Sequence, residues 1–280
     1  MGGLTFDEVM NFYPGHNLDT YRDILKAKKS GGLLPFMGAG LSVFCGYKLW
    51  GGVLWELAEY IYDTKQKQEV FDKIEAGAYV EAAQLLLEYY PPMLDRLPRL
   101  ISPDKLEACP PEKRVFSAAY TLPLLFQTGL VITTNFDRVL EDLYLRWSKK
   151  PIEVVTPKQQ DRLAQFRQNG AQCLFKLHGD IGKDAVALDD LVFTGEQYDD
   201  KYRDGGPLVQ ELTRCFENRR LLFLGCSLNA DRTMEVLKQV CKAQPGIRHY
   251  AVLGCKRDEV PKRLAELYQQ GGEPIFYDDS

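Results

Sequence analysis

Short apolar runs recur along the chain, most of them followed by a stretch whose hydrophobic positions fall at helical spacing. Seven runs read as strands: "LLPFM" (33–37), "LVITT" (130–134), "IEVV" (152–155), "CLFKLH" (173–178), "LLFLG" (221–225), "HYAVL" (249–253) and "PIFY" (274–277). Several are bounded by Gly, Asn or Asp and lack polar alternation, the pattern of strands buried on both faces of a parallel sheet. Helical patterns follow at 137–147, 157–168, 231–242 and 258–270, and the last two open on Asp231 and Asp258, residues suited to an N-cap. Strand then helix, repeated, predicts an α/β, Rossmann-like, doubly wound and mainly parallel sheet.

One segment breaks the alternation. From about 50 to 128 the pattern is almost wholly helical, as in "VLWELAEYIYD" and "AYVEAAQLLLEYY", interrupted at "YPP" and "CPPEK". It is expected to be a helical insertion forming a small lobe within a single domain covering 1–280.

Composition narrows the class. The chain of 280 residues is 45% hydrophobic and 26% charged with a formal net charge of -4, values of an ordinary globular protein. No basic run suggests direct binding of nucleic acid. No stretch approaches the ~20 apolar residues that span a bilayer, and "MGGLTFDEVM" has no secretory pattern. The expectation is a cytoplasmic protein with no membrane partner. The seven cysteines are scattered, odd in number and never spaced C-x-x-C, which favours buried reduced thiols over disulfides or a structural zinc.

Polar residues and glycines gather where strands end. The first strand runs into "GAGLS" (38–42), a turn where glycine lets the backbone approach a phosphate, although Val43 leaves the dehydrogenase fingerprint incomplete. "TTNFD" (133–137) ends the second strand. There Asp137 reads as a helix cap, whereas Asn135 lies two positions earlier than a cap requires. "KLHGD" (176–180) places His178, one of three histidines, at the end of the fourth strand. It reads either as a core histidine or as a neutral imidazole able to take a proton from a sugar hydroxyl or a water. "GCSLNAD" (225–231) ends the fifth strand with Gly225 for close approach and the Ser227 hydroxyl for a ribose or phosphate oxygen. Jointly the four strand ends predict a nucleotide-sized site.

In that order, GAGLS, TTNFD, KLHGD and GCSLNAD resemble the sirtuin-like superfamily, and most nearly the bacterial NAD-cleaving domains of anti-phage defence systems such as Thoeris. The resemblance runs from about Leu33 to about Leu253. It implies a Rossmann-type sheet with a helical small lobe, and NAD+ as substrate without a metal. Gly38, Ala39, Gly40 and Ser42 match the dinucleotide-binding loop, and Thr134 is counted with them. Asn135, Asp137 and His178 match the catalytic polar set, while Gly225 and Ser227 match the segment against the adenosine ribose and phosphates. The two zinc-binding cysteine pairs of protein-deacylating sirtuins are absent, and "VFCGYKLW" stands where those enzymes carry Pro-Asp-Phe-Arg.

NAD+ hydrolysis is therefore the leading expectation, as the NAD-depleting effector of abortive infection. An NAD-dependent deacylase and a non-catalytic nucleotide-sensing or assembly module are the alternatives. The resemblance also implies a homo-oligomer and a trigger. Because the chain ends at "IFYDDS", almost directly after its last apolar run, the trigger is expected from a fused or separate sensor protein.

Overall fold

All seven apolar runs become strands: β1 Leu33–Met37, β2 Leu130–Thr133, β3 Glu153–Val155, β4 Cys173–Lys176, β5 Arg220–Leu224, β6 His249–Cys255 and β7 Gly272–Asp278. The computed structural model describes residues 4–101, 108–110, 118–181, 191–228 and 246–279. The helix expected over 231–242, with its Asp231 cap, lies outside them. The chain divides into two compact units, one of residues 1–38 and 210–280, the other of residues 39–209.

In the first unit β1 pairs in parallel with β5, β5 with β6, and β6 with β7. Leu34, Phe36, Leu221, Tyr250 and Phe276 are buried along these strands. The helix His16–Lys29 is pinned to β7 by Asn17, whose buried amide donates to the carbonyl of Phe276 at 2.7 Å and accepts from its N–H at 3.1 Å. A side-chain amide that satisfies one strand residue in both directions fixes the register of helix against strand.

In the second unit β4 lies between β2 and β3, both pairs parallel, with Leu130 opposite Cys173 and Glu153 opposite the same residue. Val131, Ile132, Leu174 and Phe175 are buried there, so these strands read as unbroken apolar runs. Between β1 and β2 the described residues form the helices Trp50–Ala58, Thr64–Glu75, Tyr79–Tyr89, Met93–Leu100 and Ala118–Leu125. Asp63 caps the second of these by accepting from the Gln66 N–H at 2.9 Å, and Val70 and Ile74, one turn apart, form its buried face.

Local signals shifted some boundaries. The helix expected from 157 begins as a 3-10 turn, Pro157–Arg162, kinked at Gln159, and is α-helical only over Leu163–Asn169. Asp258 does not cap the last helix, which starts at Val260 with Glu259 in the cap position and no side-chain bond to the first turn. Pro261, early in the first turn, needs no N–H partner and holds φ in the helical range. After β1 the chain enters a 3-10 helix, Ala39–Cys45, rather than an α-helix. Throughout, the architecture is the α/β, Rossmann-like class that the hydrophobic pattern implies.

Candidate functional site

The glycine at the end of β1 is required by packing alone. In the first unit the Gly38 N–H donates to the carbonyl of Leu224 at 2.9 Å. A Cβ at this position would lie 2.5 Å from the carbonyl oxygen of Gly225 and 2.7 Å from the sulfur of Cys226. Gly225 itself turns with φ of +67°, the left-handed region that favours glycine. Beyond it, the Arg263 guanidinium donates to the carbonyls of Ser227 and Leu228 at 3.0 and 3.1 Å, and Ser227 stands exposed.

The polar residues of TTNFD belong to the second unit together with Ala39, Gly40 and Ser42. Ala39 is half-buried and Gly40 exposed, but Ser42 is buried. The Asn135 amide donates to the Ser42 hydroxyl at 3.3 Å, and that hydroxyl in turn bonds the Asp137 carboxylate. Ser42 thus joins two residues singled out from sequence that lie more than ninety positions further along the chain. The Thr133 hydroxyl accepts from the Asn135 N–H at 3.0 Å and fixes the turn from below; Thr134 is half-buried beside it.

Asp137 also accepts from the N–H of Val139 at 2.9 Å, one position before the cap Arg138 of the helix Val139–Ser148. It therefore serves the first N–H of that helix from one position before the cap, which falls on Arg138 and not on Asp137 as the sequence suggests, while also receiving Ser42. Burial pushes its carboxyl above the usual aspartate range, against the pull of the Val139 N–H, the Lys176 charge and the Ser42 hydroxyl.

His178 follows β4, whose last residues run beside TTNFD; the Leu177 N–H donates to the Thr133 carbonyl at 2.8 Å. Its ring is buried and meets Tyr198 and Phe136. Nε2 lies 3.1 Å from the Tyr198 hydroxyl, the Tyr198 ring stands edge-on at 5.3 Å, and the Phe136 ring is 6.0 Å away. Phe136 in turn packs on Trp50 at 5.5 Å, and Trp50 on Phe193 at 6.3 Å. Burial lowers the imidazole pKa to about 3, so the ring is neutral at physiological pH.

Beneath these residues lies a group that the sequence pattern did not reveal. Lys176 is wholly buried, and its ammonium donates to the carbonyls of Phe136 and Asp137 at 3.1 and 2.8 Å. It also donates to Glu141 at 2.9 Å and Asp180 at 2.6 Å. Burial opposes its charge, but the two carboxylates outweigh that and hold the ammonium above the usual lysine range. A lysine at the end of an apolar run reads as a strand leaving the core, and its partners are 35 to 40 residues away, Asp180 excepted. Tyr198 was equally hidden, since its contact with His178 depends on the chain returning twenty residues later.

Among the described residues there is no group of three His, Cys, Asp or Glu arranged to hold a metal, and no helix is long and apolar enough to cross a membrane. None of the six described cysteines forms a disulfide.

Parallel strands ending in an amide, a carboxylate and a neutral imidazole define an α/β protein with a polar site at its strand ends. The SIR2-like domain family model matches residues 129–275, just over half of the chain, and the protein belongs to that family. The match takes in TTNFD, KLHGD and GCSLNAD, while GAGLS precedes it. Family membership gives the chain an NAD-related function.

Proposed function

We propose that the protein is an NAD+ glycohydrolase that cleaves the bond between nicotinamide and ribose, and that it serves as the NAD-depleting effector of a bacterial anti-phage defence system. The observation that supports this reading most is the Ser42–Asn135–Asp137 chain beside a buried, uncharged His178.

The chemistry explains why a neutral ring suits the task. The C1′–N bond breaks with its electron pair going to the pyridinium nitrogen, so nicotinamide departs neutral and positive charge develops on the ribose. An imidazolium beside that ribose would oppose cleavage by charge repulsion, and burial of His178 prevents it. Water then bonds to C1′ and loses a proton, giving ADP-ribose, nicotinamide and a proton. Once joined to a cationic centre that water is strongly acidic, so a weak acceptor such as His178 suffices. Asn135, held by Ser42, orients the water and the nicotinamide ribose through its amide. Asp137 either adds negative charge near the developing cation or only starts its helix.

Release of nicotinamide from a fluorescent NAD+ analogue tests the reading. Wild type turns over, and folded His178→Ala and Asn135→Ala proteins each lose about 100-fold or more, the scale of a general acid–base or positioning group. Near-normal hydrolysis by folded His178→Ala refutes the assignment. Saturable binding of NAD+ with no nicotinamide release by wild type favours a nucleotide-sensing module instead.

A further inference from the structure

The return of the chain to His178 is built from several independent contacts. The Val192 N–H donates to the His178 carbonyl at 3.0 Å. Two residues on, Thr194 forms a capping box with Gln197 at the head of the helix Gly195–Lys201. The Gln197 side-chain oxygen accepts from the N–H groups of both Phe193 and Thr194 at 3.0 Å. These bonds fix where the helix starts and its rotation about its axis, and so which residue faces inward. That residue is Tyr198, 6% exposed, with its ring stacked on Tyr202 at 5.6 Å and its hydroxyl 3.1 Å from Nε2 of His178.

A neutral imidazole carries one N–H and one lone pair; a tautomer change exchanges them, and a ring flip puts carbon where nitrogen stood. A hydroxyl fixed at Nε2 can donate to a lone pair or accept from an N–H there, so it bonds the ring in either tautomer but opposes the flip, which would set a carbon against it. We propose that Tyr198 is a positioning residue of the NAD+-cleaving site, its hydroxyl holding His178 in one ring orientation. The proposal deepens the glycohydrolase reading and rests on it for its kinetic consequence alone. Tyr198 acts through His178, as the partner that orients a catalytic ring does in other hydrolytic sites.

Tyr198→Phe removes the hydroxyl and keeps the ring that packs on Tyr202 and His178. With only three histidines in the chain, ¹⁵N-histidine spectra resolve the His178 nitrogens by comparison with His178→Ala. In wild type the Nε2 shift carries the mark of the hydrogen bond to the Tyr198 hydroxyl, and in Tyr198→Phe that mark is expected to be lost and the His178 shifts to move. In the fluorescent NAD+ assay kcat falls roughly 10- to 100-fold, the range of a small misplacement of a reacting group, with KM little changed. Unaltered His178 shifts in folded Tyr198→Phe overturn the proposal, and so does a kcat within about twofold of wild type while His178→Ala is inactive. If wild type releases no nicotinamide, the glycohydrolase reading fails and the nitrogen spectra alone decide the role of Tyr198.

Discussion

Replacing Lys176 by Met tests how much of the second unit depends on a single buried charge. Met nearly matches the length of the lysine stem, so the change removes the ammonium with little loss of packing. Four acceptors lose their donor: the carbonyls of Phe136 and Asp137, and the carboxylates of Glu141 and Asp180. Asp180 is partly exposed and can turn to water, but the Glu141 side chain is only 10% exposed. Removing one partner of a buried ion pair costs about 3–5 kcal/mol, chiefly because the remaining charge is left unpaired. Protonation offers Glu141 some relief, since burial already pushes its carboxyl up. The two carbonyls have no such escape, and an unsatisfied buried acceptor costs ~1–3 kcal/mol. A loss of at least about 3 kcal/mol follows, a large fraction of the ~5–15 kcal/mol that stabilises a typical protein. Urea denaturation at pH 7 measures it through the shift in midpoint at unchanged slope. Adding Glu141→Gln should recover part of the loss, because the orphaned charge is then gone. A loss under about 1 kcal/mol, the scale of an exposed pair such as Arg22–Asp19, refutes the reasoning.

Two further outcomes follow from the same cluster. Asp137→Asn keeps an oxygen for the Val139 N–H but removes a carboxylate whose pKa burial raises. A raised carboxyl contributes stability below its unfolded pKa and loses it as pH rises through the folded pKa, so the variant should match or exceed wild-type stability at pH 7 by thermal denaturation. Its NAD+ turnover then separates the roles of Asp137: retained rates mean a helix start only, and a loss of ~10-fold or more means the charge acts on the ribose. His178 has the opposite pH sign, its folded pKa lowered from 6.5 to about 3. Its stability contribution is complete above the unfolded value and is lost as pH falls from about 6.5 toward 3, reaching ~2 kcal/mol by pH 5. Urea midpoints of wild type and His178→Gln should therefore converge between pH 7.5 and 5, and parallel curves would contradict a buried neutral ring.

Much of this was legible in the linear pattern, for a physical reason. Strands buried on both faces carry no polar alternation, so β1, β2 and β5 stood out as apolar runs, and for all seven strands the observed ends fall within two residues of the expected ones. Asn135 and Asp137 were legible because polar side chains at a strand end have no packing reason to be there, and both join Ser42. What stayed hidden depends on contacts distant along the chain. Lys176 lay unremarked inside the run "CLFKLH" until Glu141, on the helix after β2, supplied its counter-charge. Tyr198 was one of fifteen tyrosines with nothing local to mark it. Asp258 failed as a cap because Glu259 and Pro261 set the helix start.

Gly38 has a bearing on how any mutational survey of this protein should be interpreted. Because even a methyl group there would overlap the Gly225 carbonyl and the Cys226 sulfur, every substitution is expected to deform the junction whether or not a nucleotide ever touches it. Silence from a Gly38 variant would therefore say nothing about ligand contact. Ser227, standing in solvent with its backbone secured by Arg263, is where loss of affinity without loss of folding would carry that information.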